Sequence, residues 1–244
     1  MRWLPYEHIF FDCDSTLTTI EGIDVLAETT SYKQRVEELT NLAMESKLDL
    51  EDIYAKGLQS INPTQRQIQA IRNAYKRNIV EDATEVVRIL QESGKKVYII
   101  SDGLLESVVK FGVFLGVPRN RIHAVDVQHD ELAGNWWQGE DADARYMRFE
   151  EGILSISDGK AEIVKSLLAG QNGRSLLVGD GKSDLLASRA VDLFVGFGGV
   201  IARQLVQAEA PIFINTPSMA PLLAIAMGPA QLASLNNTQI VQKI

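Results

Sequence analysis

An α/β fold built on a doubly wound parallel sheet is predicted by two observations. Short apolar runs recur at residues 8–12, 96–101, 176–180 and 193–197, with a weaker one at 211–214, each of a length that suits a strand buried on both faces. Between them, residues 84–93, 160–169 and 184–191 carry apolar side chains at three- and four-residue spacing, and the first two segments close on Gly94 and Gly170, as helices do. Strands that alternate with helices are joined by crossovers, and crossovers make the sheet parallel.

Two stretches break the alternation. Residues 21–78 read as helix throughout, for example 33–46, 51–60 and 64–77, with Pro63 near the start of the last. They form a predicted helical cap at 20–79, inserted into a core of residues 1–19 and 80–244. Residues 123–157 are strand-like, then rich in glycine and acid around the Gly134-Asn-Trp-Trp-Gln-Gly-Glu-Asp segment, which suits a hairpin flap. The paired Trp136 and Trp137 fit a lid over a cleft as well as a surface patch for a partner.

Bulk properties narrow the function. The chain has 244 residues, 45% hydrophobic and 23% charged, enough for one large α/β domain with an insert. A formal charge of −8 without a cluster of Lys or Arg argues against nucleic acid. The single cysteine, Cys13, makes no internal disulfide and fits a reducing compartment. The first residues lack the apolar segment of a signal peptide, and the most apolar stretch, 219–235, is broken by Pro221, Gly228 and Pro229. A cytoplasmic location and no membrane partner are expected, with the last stretch forming terminal helices docked on the core. Oligomeric state is not legible in the pattern.

In parallel sheets, ligands bind beyond the carboxyl ends of the strands. There the sequence places Asp12-Cys13-Asp14-Ser15-Thr16, then Ser101-Asp102-Gly103, then Gly179-Asp180-Gly181-Lys182-Ser183-Asp184, while Lys160 opens the helix before the third run. Asp12 and Asp14 are two residues apart, which on extended backbone points both the same way at roughly 6.6 Å. A carboxylate attacking phosphorus forms an acyl phosphate, splitting one hard displacement into two easier ones. A second carboxyl can protonate the departing alkoxide and then take a proton from water.

Asp12, Asp14, Asp180 and Asp184, brought together with a phosphate dianion, would repel one another, so a cation is expected among them. Oxygen-only ligation with room for waters and a phosphate oxygen is the preference of Mg²⁺, and no His or thiolate set competes for a softer metal. Lys160 would face the phosphoryl oxygens and Ser101 would donate a hydroxyl where the transition state gathers charge. Taken singly, Asp180-Gly181 reads equally well as a turn; the ordered set of motifs, each behind a strand, carries the argument.

At these residues the chain resembles the haloacid dehalogenase superfamily and, within it, the phosphoserine phosphatases, over nearly its whole length. Asp12-x-Asp14-Ser-Thr matches the first motif, Ser101-x-Gly103 the second, Lys160 the third and Gly179-Asp-Gly-x-x-Asp184 the fourth. The resemblance implies a Rossmann-like core with inserted cap and flap. It also implies a Mg-dependent phosphomonoesterase acting through an aspartyl-phosphate on a small phosphorylated metabolite, O-phosphoserine giving serine and phosphate. Catalytic roles would fall to Asp12, Asp14, Ser101 and Lys160, substrate contacts to Glu21, Met44, Gly103, Ser183 and Arg203, and metal binding to Asp12, Asp14, Asp180 and Asp184. In the family the glutamate matched by Glu21 reads the substrate amine.

Three departures stand out. Gly57 replaces the arginine that in the family clamps the substrate carboxylate, and neighbouring Lys56 lacks its planar fork. The stretch before Lys160 is longer than usual, and Ser183 stands where relatives carry Asn or Thr. A phosphatase for another small phosphometabolite, or a phosphotransferase to an alcohol acceptor, therefore remains an alternative.

Overall fold

A computed structural model describes residues 4–28, 58, 61–130, 145–149, 154, 158–235 and 238–243. Strand β1 (Tyr6–Phe11) runs through the middle of a six-stranded sheet. Its Ile9, Phe10 and Phe11 are fully buried, as a central strand covered on both faces requires. On one side lie β2 (Lys96–Leu104) and β3 (Ile122–Val125); on the other β6 (Arg174–Gly179), β7 (Leu193–Phe197) and β8 (Ile212–Ile214). The order is β3-β2-β1-β6-β7-β8, and every neighbouring pair is parallel. Strands β2 and β3 are added on one side of β1 and β6 to β8 on the other, so strand order switches between β1 and β6, where a crevice is expected at the carboxyl ends.

The helices follow the apolar spacing. α1 (Gly22–Ala27) and α2 (Gln65–Arg77) come from the expected cap region. Thr64 starts α2 with a capping box: its hydroxyl accepts from the Gln67 amide at 3.2 Å, and the Gln67 side chain accepts from the Thr64 amide at 2.8 Å. α3 (Ala83–Glu92) ends in a turn in which Gly94 takes φ +79°, a conformation that glycine adopts without strain. α4 (Leu105–Phe114) directly follows β2 and packs on α2 and β3. α5 (Gly159–Leu168) and α6 (Lys182–Ala187) flank β6 in the chain. α7 (Gln204–Glu209) precedes β8. At the end lie α8 (Pro221–Met227), α9 (Pro229–Leu232) and α10 (Thr238–Val241). Leu222, Leu223, Ala226 and Met227 of α8 are buried against the core, as expected of docked terminal helices. Among the described residues no helix is long and apolar enough to cross a membrane.

Beyond the parallel sheet, β4 (Val127–Asp130) and β5 (Arg145–Phe149) form an antiparallel pair with Val127 opposite Phe149 and Asp130 opposite Arg145. Asp126 alone separates β3 from β4. A main-sheet strand and an antiparallel strand thus follow each other with no turn residues between them. The helices expected at 33–46 and 51–60, together with Met44, Lys56, Gly57, Trp136, Trp137 and the acidic run 140–143, lie outside the described residues.

Candidate active site

The loop after β1 is wound tightly. Asp12 stays attached to the sheet through its amide, which donates to Val178 O at 2.9 Å, and the Cys13 carbonyl accepts from Leu17 N at 2.8 Å and Thr18 N at 3.0 Å. Ser15 completes the turn with φ +53°, a left-handed conformation uncommon outside glycine, Asn and Asp. The coil turns the two hydroxyls inward. Ser15 Oγ donates to Glu21 Oε1 at 2.7 Å and Thr16 Oγ1 to Asp180 Oδ1 at 3.1 Å.

Across the crevice, β6 ends at Gly179. A methyl group there would overlap the Asp184 carboxylate, so the first glycine of Gly-Asp-Gly-x-x-Asp is a requirement of close packing. Gly181 precedes α6 and its amide donates to Asp184 Oδ2 at 3.0 Å, placing the acid in the first helical turn, where a negative charge suits the helix dipole. Oxygens of Asp12, Asp180 and Asp184 all fall within 4.8 Å of one another, and all three side chains are buried.

Lys160, in the first turn of α5, projects into this group. Its Nζ lies 2.7 Å from Asp12 Oδ1, 2.8 Å from Asp184 Oδ1 and 3.3 Å from Asp102 Oδ2. Burial by itself would depress the ammonium's pKa; Asp102, Asp12 and Asp184 outweigh it and hold the group well above the ordinary lysine value. Arg203 is the second cation buried at the site, with Nε on Asp180 Oδ2 at 2.9 Å and Nη2 3.4 Å from Glu21 Oε1.

Carboxyl groups outnumber these cations. Burial raises Asp12, Asp102, Asp180 and Glu21, and pushes Asp14 up to about 7. For Asp12 the Lys160 charge opposes burial, while Asp184, Asp180 and Asp102 add to it. A divalent cation among Asp12, Asp180 and Asp184 would offset this crowding, and their all-oxygen donor set fits a hard ion.

Asp12, Lys160, Asp180 and Asp184 meet in one cluster. The Asp14 carboxyl stands outside the three-carboxylate group, beside Gly103, the Gly22 amide and Tyr75. Ser101 Oγ accepts from the Gly103 amide at 2.9 Å, and Ser183 Oγ donates to Asp102. Glu21 and Arg203, named through resemblance, form a buried pair. Sequence reasoning gave no role to Thr16, Asp102 or Tyr75. The first two sit inside motifs already singled out, so their position was the available signal. Tyr75 offered none beyond its place on the apolar stripe of a helix.

Fold and site together define a hydrolase built on a doubly wound sheet. The chain belongs to the haloacid dehalogenase-like hydrolases, whose family model matches residues 6–192. It is 29% identical to a phosphoserine phosphatase of Mus musculus over 85% of this chain and 88% of that one. It is 31% identical to the chloroplastic phosphoserine phosphatase of Arabidopsis thaliana over 85% of this chain and 68% of that one. Among solved structures, a phospho-aspartyl intermediate analogue of phosphoserine phosphatase shares the fold, with a TM-score of 0.74, 23% identity and coverage of 91% and 99%. A phosphoserine phosphohydrolase-like protein from Francisella tularensis does so at 0.73, with 23% identity and coverage of 91% and 100%. Family and relatives indicate a phosphoric monoester hydrolase.

Proposed function

We propose that this chain hydrolyses small phosphomonoesters, O-phosphoserine foremost, through an aspartyl-phosphate on Asp12 and with Mg²⁺ as cofactor. The observation that carries the reading is the buried ammonium of Lys160 between Asp12 and Asp184, at the carboxyl ends of adjacent strands. Asp12, Asp180 and Asp184 would hold the magnesium ion, which would supply positive charge against phosphate and carboxylates.

The chain's own residues perform the rest. An Asp12 oxygen attacks phosphorus as the ester P–O bond breaks, and Asp14, protonated, delivers its proton to the leaving alkoxide. Asp14, now a carboxylate, takes a proton from water as that water attacks phosphorus and the Asp12–phosphorus bond breaks, returning both groups to their starting states. Lys160 and Ser101 stabilise the charge that collects on the phosphoryl oxygens. Asp14 suits this alternation, since burial places its pKa at about 7. Glu21, held by Ser15 and Arg203, would receive the substrate ammonium, with Met44, Gly103 and Ser183 completing the substrate contacts.

Phosphate release from a panel of metabolites, with and without Mg²⁺, tests the reading. Phosphoserine is expected to rank first and to require the ion. If it ranks with unrelated monoesters, Gly57, in place of an arginine clamp, favours a second reading: a phosphomonoester without the carboxylate that phosphoserine carries.

A further inference from the structure

We infer that Tyr75, on helix α2, is a positioning residue for Asp14: its hydroxyl holds one carboxyl oxygen so that the other faces the leaving group. This rests on the acid–base role proposed for Asp14 above. Tyr75 is fully buried, and its hydroxyl has no well-formed hydrogen bond among the described residues; the same holds for Asp14 Oδ1. These two unsatisfied atoms belong to groups that lie against each other, close enough for the phenol to act on the carboxyl. A buried donor and a buried acceptor side by side, each lacking another partner among the described residues, are placed to satisfy each other.

The surroundings leave the hydroxyl little freedom. Residue 22 is glycine, and a methyl group there would overlap the Tyr75 oxygen. The ring packs on Phe111 at 5.4 Å between centroids, and α2 is tied to α4 by Ser107 Oγ donating to Ile68 O and by Gln65 Nε2 donating to Glu106 Oε1 at 3.2 Å. From the opposite side, a methyl group on Gly103 would stand 3.0 Å from Asp14 Oδ2, so the carboxyl is confined between two glycines and a phenol. A hydroxyl suits the task because it donates to the same oxygen whether Asp14 is an acid or a carboxylate. Helix α2 thereby brings the cap region into the proton-transfer step.

Leaving-group dependence tests the inference. Alkyl phosphates need a proton on the departing oxygen, whereas aryl phosphates with acidic phenols do not, and kcat/KM reports the steps up to formation of the phosphoenzyme. In Tyr75→Phe the loss of kcat/KM on phosphoserine is expected to be at least about tenfold larger than the loss on p-nitrophenyl phosphate. Gly22→Ala, which displaces the hydroxyl while keeping the ring, is expected to show the same skew and decides the matter should Tyr75→Phe fold poorly. Equal losses on both esters would overturn the role of Tyr75 while leaving the phosphatase reading intact. Asp12→Asn run alongside separates the two: if it hydrolyses both esters at the wild-type rate, the phosphatase mechanism and the role of Tyr75 fall together.

Discussion

Lys160 Nζ lies 2.7 Å from Asp12 Oδ1 and 2.8 Å from Asp184 Oδ1, so a single ammonium bridges two of the three clustered carboxylates, one of them the proposed nucleophile. Removing it strands buried carboxylates without their partner, which typically costs about 3–5 kcal/mol. Lys160→Met is expected to lower kcat at least about a hundredfold and to lower Tm, with divalent ions restoring Tm more than activity. Titration of Tm and of phosphate release against Mg²⁺ checks this.

Gly179→Ala is a test through packing. The added methyl displaces the Asp184 carboxylate, one of the three groups placed to hold an ion. Half-maximal activation is expected to need about tenfold more Mg²⁺, since a shift of this kind costs about 1.4 kcal/mol of binding. An activation curve superposing on the wild type would show that Asp184 has no part in holding the ion.

Arg203 separates two acids, Asp180 and Glu21. Arg203→Lys keeps a charge but not the planar fork that spans both, and a lost charge-assisted hydrogen bond is worth about 1.5–3 kcal/mol. Expected is a fall in kcat/KM for phosphoserine of about 10- to 100-fold, smaller for substrates lacking an amine. Steady-state kinetics with phosphoserine and phosphoglycolate distinguishes that pattern from a uniform loss.

Stability should respond to pH with a defined sign. Burial raises Asp14 from 3.8 to about 7, and raises Asp12, Asp102, Asp180 and Glu21 in the same direction. A carboxyl with a higher pKa folded than unfolded binds more protons in the folded state. Its contribution is complete below the unfolded value and is lost as pH rises through the folded one. Without metal, this contribution declines from about pH 4 to about pH 7 and above. Mg²⁺ is therefore expected to raise Tm more at about pH 8 than at about pH 5, as measured by calorimetry against EDTA controls. A larger shift at the lower pH contradicts this.

The buried carboxylate–lysine cluster was legible in the sequence because its members sit beside strand ends inside short motifs. Asp12, Asp180 and Asp184 could be placed by strand pattern alone, and Lys160 by the start of a helix. Asp102 contacts Lys160 from the centre of a motif, yet only the folded chain shows which neighbour it faces. Tyr75 was invisible because Ile68, Ile71 and Tyr75 share the apolar stripe of α2, where an aromatic residue reads as core. β3 was read as part of the flap stretch because Asp126 alone divides it from β4 and no glycine or proline marks the change. α4 escaped notice because it begins at Leu105 with no side-chain cap.

Trapping the phosphoenzyme tests the central claim most directly. Brief incubation with radiolabelled phosphoserine and Mg²⁺, acid quenching and peptide mapping should place a hydroxylamine-sensitive label on the peptide containing Asp12, and none in Asp12→Asn. Phosphate release by Asp12→Asn at the wild-type rate, or a label on another residue, would contradict the account.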